Sequence, residues 1–177
     1  MYMFVLMKKI FRTLFSILIL NLIALETNSE EKIVDNNHEF TFYTGLFDHN
    51  HAYGNSSLVG FQHQDHDLFR DSLLGKLSPV TGGLITADNA LYMYTGVQAE
   101  YSLGPLNLTP SVSPGYYNSG NGRNLGSAFE VKSEIKLSLK LSENNQFGMS
   151  YNHISNADTA QMNPGIESYT FNFLRKF

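Results

Sequence analysis

The chain has 177 residues, with 12 Lys plus Arg against 16 Asp plus Glu, a formal net charge of -4 and no cysteine. That length suits one domain with a sizeable core. The charge leaves no broad basic footprint for nucleic acid, and the missing cysteines exclude a disulfide framework and a thiolate zinc site. The 13 Phe, 10 Tyr and 14 Gly, with no Trp, favour short strands and turns over helices.

From the N-terminus, Lys8, Lys9 and Arg12 precede the apolar run Leu14 to Leu25, and the polar stretch Glu26 to Lys32 follows. The run is shorter than the ~20 apolar residues a spanning helix needs and reads as the h-region of a secretory signal peptide. Residues 1–29 are therefore expected to be removed, with Thr27 and Ser29 at the small-residue positions before the cut. An uncleaved anchor is the alternative, and Met7-Lys8-Lys9 is a more ordinary start than Met1. Residues 30–177 then form one exported domain.

Eight alternating runs follow, each closed by a turn cluster. They are Phe40 to Phe47, Ser57 to Gln64, Leu73 to Leu84, Leu91 to Leu103, Leu106 to Tyr117, Gly126 to Leu141, Gln146 to Asn156 and Glu167 to Phe177. In the sixth, Phe129, Val131, Ile135, Leu137, Leu139 and Leu141 share one parity, while Glu130, Lys132, Glu134, Lys136 and Lys140 share the other. Such two-faced strands fit a soluble sandwich with the apolar side inward, or a membrane barrel with the apolar side in lipid and paired charges in a narrow lumen. Three features favour the barrel. The runs match the ~9–11 residues of a tilted membrane crossing. Their number is even, and the connections alternate short (Gly104-Pro105; Glu143 to Asn145) with long (Asn118 to Leu125; Ala157 to Ile166). The terminal strand is aromatic and ends on Phe177, like the C-terminal signal of bacterial outer-membrane proteins. The expected fold is an all-β, eight-stranded antiparallel transmembrane barrel of the outer membrane. Its interior is filled by side chains, so it is not a porin.

In the last hairpin, His153 and Ser155 share the face of Phe147, Met149 and Tyr151, and Glu167 shares the face of Tyr169, Phe171 and Phe173. By the barrel rule this is the lipid face. It places the three polar groups at neighbouring strand ends beside the external loop Ala157 to Ile166, roughly 5 Å apart across the strands. A serine hydroxyl becomes a nucleophile when imidazole takes its proton, and a carboxylate orients that imidazole. Asn156, Asn163 or loop amides could stabilise the oxyanion. On spacing alone His-x-Ser is weak, and a surface histidine is the bland alternative.

The segment "YNHISNADTAQMNPGIES" resembles the signature of the lipid A 3-O-deacylase family, PagL. "LGSAFEVKSEIKLSLKL" is similar to that family's preceding strand, and "YYNSGNGRNLGS" to its external loop. The resemblance runs from about Phe40 to Phe177 and is most specific in the last third. It implies His153 as base, Ser155 as nucleophile and Glu167 as orienting acid, with Asn163 and Asn156 in the loop that binds the oxyanion. The implied activity is hydrolysis of the ester-linked 3-hydroxyacyl chain at the 3-position of lipid A, with no metal or other cofactor. Lys132, Glu134 and Lys136 are heavier than expected in that strand and raise a question about lumen packing.

The cluster of His49, His51, His63 and His66 with Asp48, Asp65 and Asp67 offers zinc-like ligands. The inferred connectivity places its two halves at opposite membrane faces, so solvated turns are the better reading. The partner expected is lipid A, or lipopolysaccharide, in the outer leaflet; the protein is membrane-embedded, and a homodimer is one arrangement the pattern permits. Two alternatives stand beside the deacylase: a non-catalytic barrel with an envelope-structural or adhesion role, and the same triad acting on a phospholipid or another acylated lipid.

Overall fold

The computed structural model describes residues 38–49, 55–66, 68, 70–72 and 74–177. The expected signal peptide, residues 1–29, and its cut after Ser29 lie outside the described residues. Among the described residues ten strands form: β1 (His38–Phe47), β2 (Ser56–Asp65), β3 (Arg70–Ser72), β4 (Gly75–Thr86), β5 (Leu91–Ala99), β6 (Tyr101–Leu103), β7 (Leu106–Asn118), β8 (Phe129–Lys140), β9 (Asn145–Ser155) and β10 (Ile166–Lys176). Two of these are continuations. Past Glu100, β6 resumes the pairing of β5 with β7, and β3 pairs with β4 on the edge that β2 also occupies. The other eight close a ring, β1-β2-β4-β5-β7-β8-β9-β10 and back to β1, in which every pair is antiparallel.

The upper rim carries the loops after β1, β4, β7 and β9; the lower rim carries His38, Phe177 and the intervening turns. The expected alternation of short and long connections holds only in the C-terminal half. At the upper rim β4 and β5 are joined by a tight turn in which Asn89 takes φ 59°, with Asn89 N–H donating to the Thr86 carbonyl at 3.0 Å. At the lower rim the β2–β4 connection is the long one and contains β3. The third expected run starts two residues late because Leu74 belongs to the turn, which Gly75 leaves at φ 87° as the first residue of β4. The sixth starts three residues late because Gly126, at φ 90°, lies before the strand.

The wall is inside out relative to a soluble protein. Phe42, Leu46, Ile85, Met93, Phe129, Ile135, Leu137, Phe147, Met149, Phe171 and Phe173 are all exposed, and they lie on the outer parity of their strands. A belt of that size on an isolated chain is a lipid-facing surface. Inward positions divide by height. Near the upper rim Phe47, Leu58, Leu84, Tyr92, Leu125, Ile154 and Ile166 form an apolar plug. Below it the filling is polar: Gln62 donates to Gln98 at 3.2 Å, Gln98 to Gln64, and Asn107 and Ser138 both donate to Gln146, at 3.0 and 2.8 Å.

Lys132 and Glu134 answer the packing question. Lys132 Nζ lies 3.2 Å from Glu134 Oε2, with side chains 1% and 9% exposed. It also stands 4.0 Å over the centre of the Tyr94 ring. Tyr94 in turn fits beside Gly82, where an added Cβ would come within 2.7 Å of its ring. Removing one partner of a buried pair leaves the other charge uncompensated, at a cost of about 3–5 kcal/mol. Lys132→Ala is therefore expected to lower barrel stability by about that amount, read as a reduced denaturant midpoint in detergent. Adding Glu134→Gln should recover most of the loss.

Candidate active site on the barrel wall

The β9–β10 register sets His153 directly opposite Glu167. His153 Nδ1 lies 3.9 Å from Glu167 Oε1, with side chains 34% and 24% exposed. That is an ion-pair distance, longer than a direct hydrogen bond; in enzymes such contacts tighten in the Michaelis complex. Ser155 stands two residues farther along the same face, where β9 ends, opposite Val131 of β8. It is only 5% exposed, so it is sheltered where the other two are open. Nδ1 faces the carboxylate, and Nε2 is the ring nitrogen directed away from it.

The loop between the strands is braced from within. Ala157 and Asp158 both take positive φ, 55° and 63°, and Thr159 N–H donates to the Asn156 carbonyl at 3.1 Å, the pattern of a type I′ turn. Asn156 is fully buried and donates through Nδ2 to the carbonyls of Leu125 and Met162 at 2.9 and 2.7 Å. Both hydrogens of that amide are thereby used in tying two loops together. Asn163 accepts from Asn156 N–H at 3.2 Å and donates to Asp158 Oδ1 at 2.7 Å, which leaves one amide hydrogen uncommitted. Asn156→Leu strips the donors from both carbonyls and is expected to cost roughly 2–4 kcal/mol, measurable as a lower unfolding midpoint.

Gly165 ends the loop at φ 65°. A Cβ there would sit 2.7 Å from His153 Cε1 and 3.2 Å from Nε2. The glycine backbone thus forms one wall of the imidazole's seat. From the other side, Ser133 Oγ donates to the His153 carbonyl at 3.5 Å.

His153 also stands at the head of a groove of about 440 Å³ on the outer wall. Its floor follows the cross-strand pairs: His153 with Ser133 and Tyr151 with Ile135, Ser133 with Val112 and Ile135 with Pro110, Val112 with Val97, and Ala99 with Leu77. The residues on β8, β7 and β5 are small or compact, and the lining is almost wholly apolar. Because the strands tilt, this row starts near the top of β9 and reaches β4 near its lower end.

Of the residues singled out in the sequence, the fold brings His153 and Glu167 into contact and sets Ser155 two residues along the same face of β9, while Asn163 is held in the loop by Asn156 and Asp158. Asn156 is directed into the loop brace. The histidine cluster divides. His49 N–H donates to the Glu167 carbonyl at 3.3 Å, and its ring packs against Tyr169 with centroids 4.4 Å apart. At the lower rim His63 Nε2 meets His38 Nδ1 at 3.1 Å, and His66 Nε2 lies 3.8 Å from Glu39. His51 and Asp67 are outside the described residues. Gly165 and the groove were not identified from the sequence, where His49 stands as one of a histidine cluster and not as a neighbour of Glu167. The pairing of β1 with β10 would have placed His49 beside Glu167, since Phe47 pairs with Ser168.

Among solved structures, a crystal structure of the outer membrane enzyme PagL is similar with a TM-score of 0.57 and 20% identity, covering 77% of this chain and 98% of that one. A structure from the de novo design of transmembrane β-barrels is similar with a TM-score of 0.57 and 10% identity, covering 83% of this chain and 100% of that one. Both likenesses are to the barrel fold. No curated protein sequence matches. The family described as Lipid A 3-O-deacylase (PagL) matches residues 38–175, from the start of β1 to the last residue but one of β10. The chain belongs to the lipid A 3-O-deacylase (PagL) family.

Proposed function

We propose that this protein is a lipid A 3-O-deacylase that uses Ser155 as nucleophile, His153 as general base and Glu167 as the orienting carboxylate. The observation that supports this most is the His153–Glu167 pair, 3.9 Å apart, on a lipid-facing wall at the head of an apolar groove. In the first half-reaction Ser155 Oγ attacks the ester carbonyl as its proton passes to His153 Nε2. The resulting oxyanion takes hydrogen bonds from loop N–H groups, with Asn163 as the side-chain candidate. The C–O bond to the sugar breaks, and the leaving oxygen takes the proton from Nε2. Water then attacks the acyl-enzyme with His153 again as base, releasing the hydroxy acid and restoring Ser155. Glu167 holds Nδ1–H throughout and stabilises the imidazolium.

The acyl chain occupies the groove while the sugar stays at the upper rim. This orientation requires the upper rim to face outward, and residues 1–29 to direct export to the outer membrane. Lipid A from cells expressing the protein, compared by mass spectrometry with cells expressing Ser155→Ala, tests the assignment. Loss of one 3-hydroxyacyl group from the 3-position in the wild type only is expected. Acyl loss confined to phospholipid would move the substrate to that class, and no acyl loss from any lipid would favour a non-catalytic envelope barrel.

A further inference from the structure

The groove has a blunt far end. On the outer parity of β4 and β5, Leu77 and Ala99 are each only 5% exposed, although Ile85 and Met93, toward the other end of the same face, lie open. Leu74 and Tyr101 line the groove at this end. The Tyr101 hydroxyl donates to the Leu74 carbonyl, and its ring lies against Gly75, where an added Cβ would stand 3.5 Å from Cε1. Tyr101 is thus tethered across the lower end of β4 by its own hydroxyl. A tyrosine on a lipid face that bonds sideways to a turn forms a wall across the groove.

From β9 to β4 the row crosses four strand spacings, roughly 19 Å at ~4.8 Å each. With a strand tilt of ~35–45°, the crossing itself descends roughly 12 Å, and the step along β4 past Leu77 to Leu74 carries the path on to the lower rim. The groove therefore runs diagonally down the outer wall, from the upper end of β9 to the lower end of β4. His153 fixes one end of any chain lying in it, and Tyr101 and Leu74 fix the other.

Resting on the hydrolase assignment above, we infer that the Leu74–Tyr101 stop is a ruler: it sets the longest ester-linked acyl chain that can lie fully in the groove with its carbonyl at Ser155. A chain shorter than the groove leaves apolar floor uncovered. A longer one must buckle or lift its carbonyl away from the nucleophile. Where the chain end meets the Leu74–Tyr101 wall, one methylene is worth roughly 10–200-fold in discrimination, so the fall beyond the limiting length is steep.

The test is internal competition. Purified full-length protein in one detergent receives an equimolar mixture of lipid A species that differ only in the length of the 3-O-acyl chain, and the released hydroxy acids are quantified by mass spectrometry. Wild type should show a sharp upper limit. Tyr101→Ala, and independently Leu74→Gly, should raise the ratio of the longest to the limiting-length product by about tenfold or more. Val97→Phe, which fills the middle of the floor, should move the limit to shorter chains. Heat-modifiable migration reports that each barrel is folded. If folded variants cleave the mixture with the wild-type length profile, the ruler is wrong and the hydrolase stands. If wild type releases no acid of any length, the hydrolase assignment fails and the ruler falls with it.

Discussion

Ser155→Ala is expected to lower acyl release by on the order of 10⁴–10⁶-fold, while heat-modifiable migration of the barrel matches wild type. The hydroxyl is the only atom removed. Ser155 is small and sits at the end of β9, so nothing in the wall must repack. His153→Ala should be nearly as damaging. The double variant should be little worse than either single one, because groups acting as a unit lose their effect together. Glu167→Ala should cost less, about 10⁴-fold at most, since the carboxylate orients and stabilises but transfers nothing. Release that persists in Ser155→Ala would remove the nucleophile from this scheme.

Gly165→Ala is expected to reduce kcat by about 10²-fold or more. Two effects act there. A left-handed backbone costs a residue with a Cβ about 1–2 kcal/mol, and the new methyl would press on the imidazole at 2.7 Å from Cε1. The ring must shift, and a displacement of about 1 Å at a reacting group is enough for a loss of that size. Gly104→Ala separates the two effects. Gly104 has the same φ of 65° but nothing within 4 Å of its would-be Cβ. It should pay the backbone cost alone, losing stability but keeping kcat. Equal kcat losses in both variants would mean that Gly165 matters only for folding.

The strands were legible because this wall has two extreme faces. In β8, Phe129, Ile135, Leu137 and Leu139 point to lipid while Glu130, Lys132 and Lys136 are buried in the lumen; a period of two with such contrast survives without any knowledge of the partner strands. The run ends were less so. Gly126 looks like a strand residue by parity but holds a left-handed backbone outside the strand, and Gly75 opens β4 from a left-handed backbone; a single sequence does not distinguish a turn glycine from one that gives way to a ring, as Gly82 does. His153 and Glu167 could be paired because one hairpin joins them. His49 could not, since its approach to Glu167 depends on β1 closing against β10, more than a hundred residues away in sequence. The groove was less legible still. It exists only when the registers of four successive strand pairs bring Ser133, Val112, Val97 and Leu77 onto one diagonal. The lumen charges pose a packing problem in the sequence alone; in the fold Tyr94 and Glu134 receive Lys132.

The placement of His153 on an outward-facing strand position has a thermodynamic consequence. Lifting a saturated chain of about a dozen methylenes into water costs about 10 kcal/mol, at ~0.8 kcal/mol for each. An esterase with an aqueous cleft has to recover that sum from its own contacts before any bond is made. In the proposed reaction the chain slides sideways from one hydrocarbon environment into another, and the extraction step vanishes. Binding energy is left free for the sugar and the carbonyl, the parts of the substrate where bond-breaking occurs.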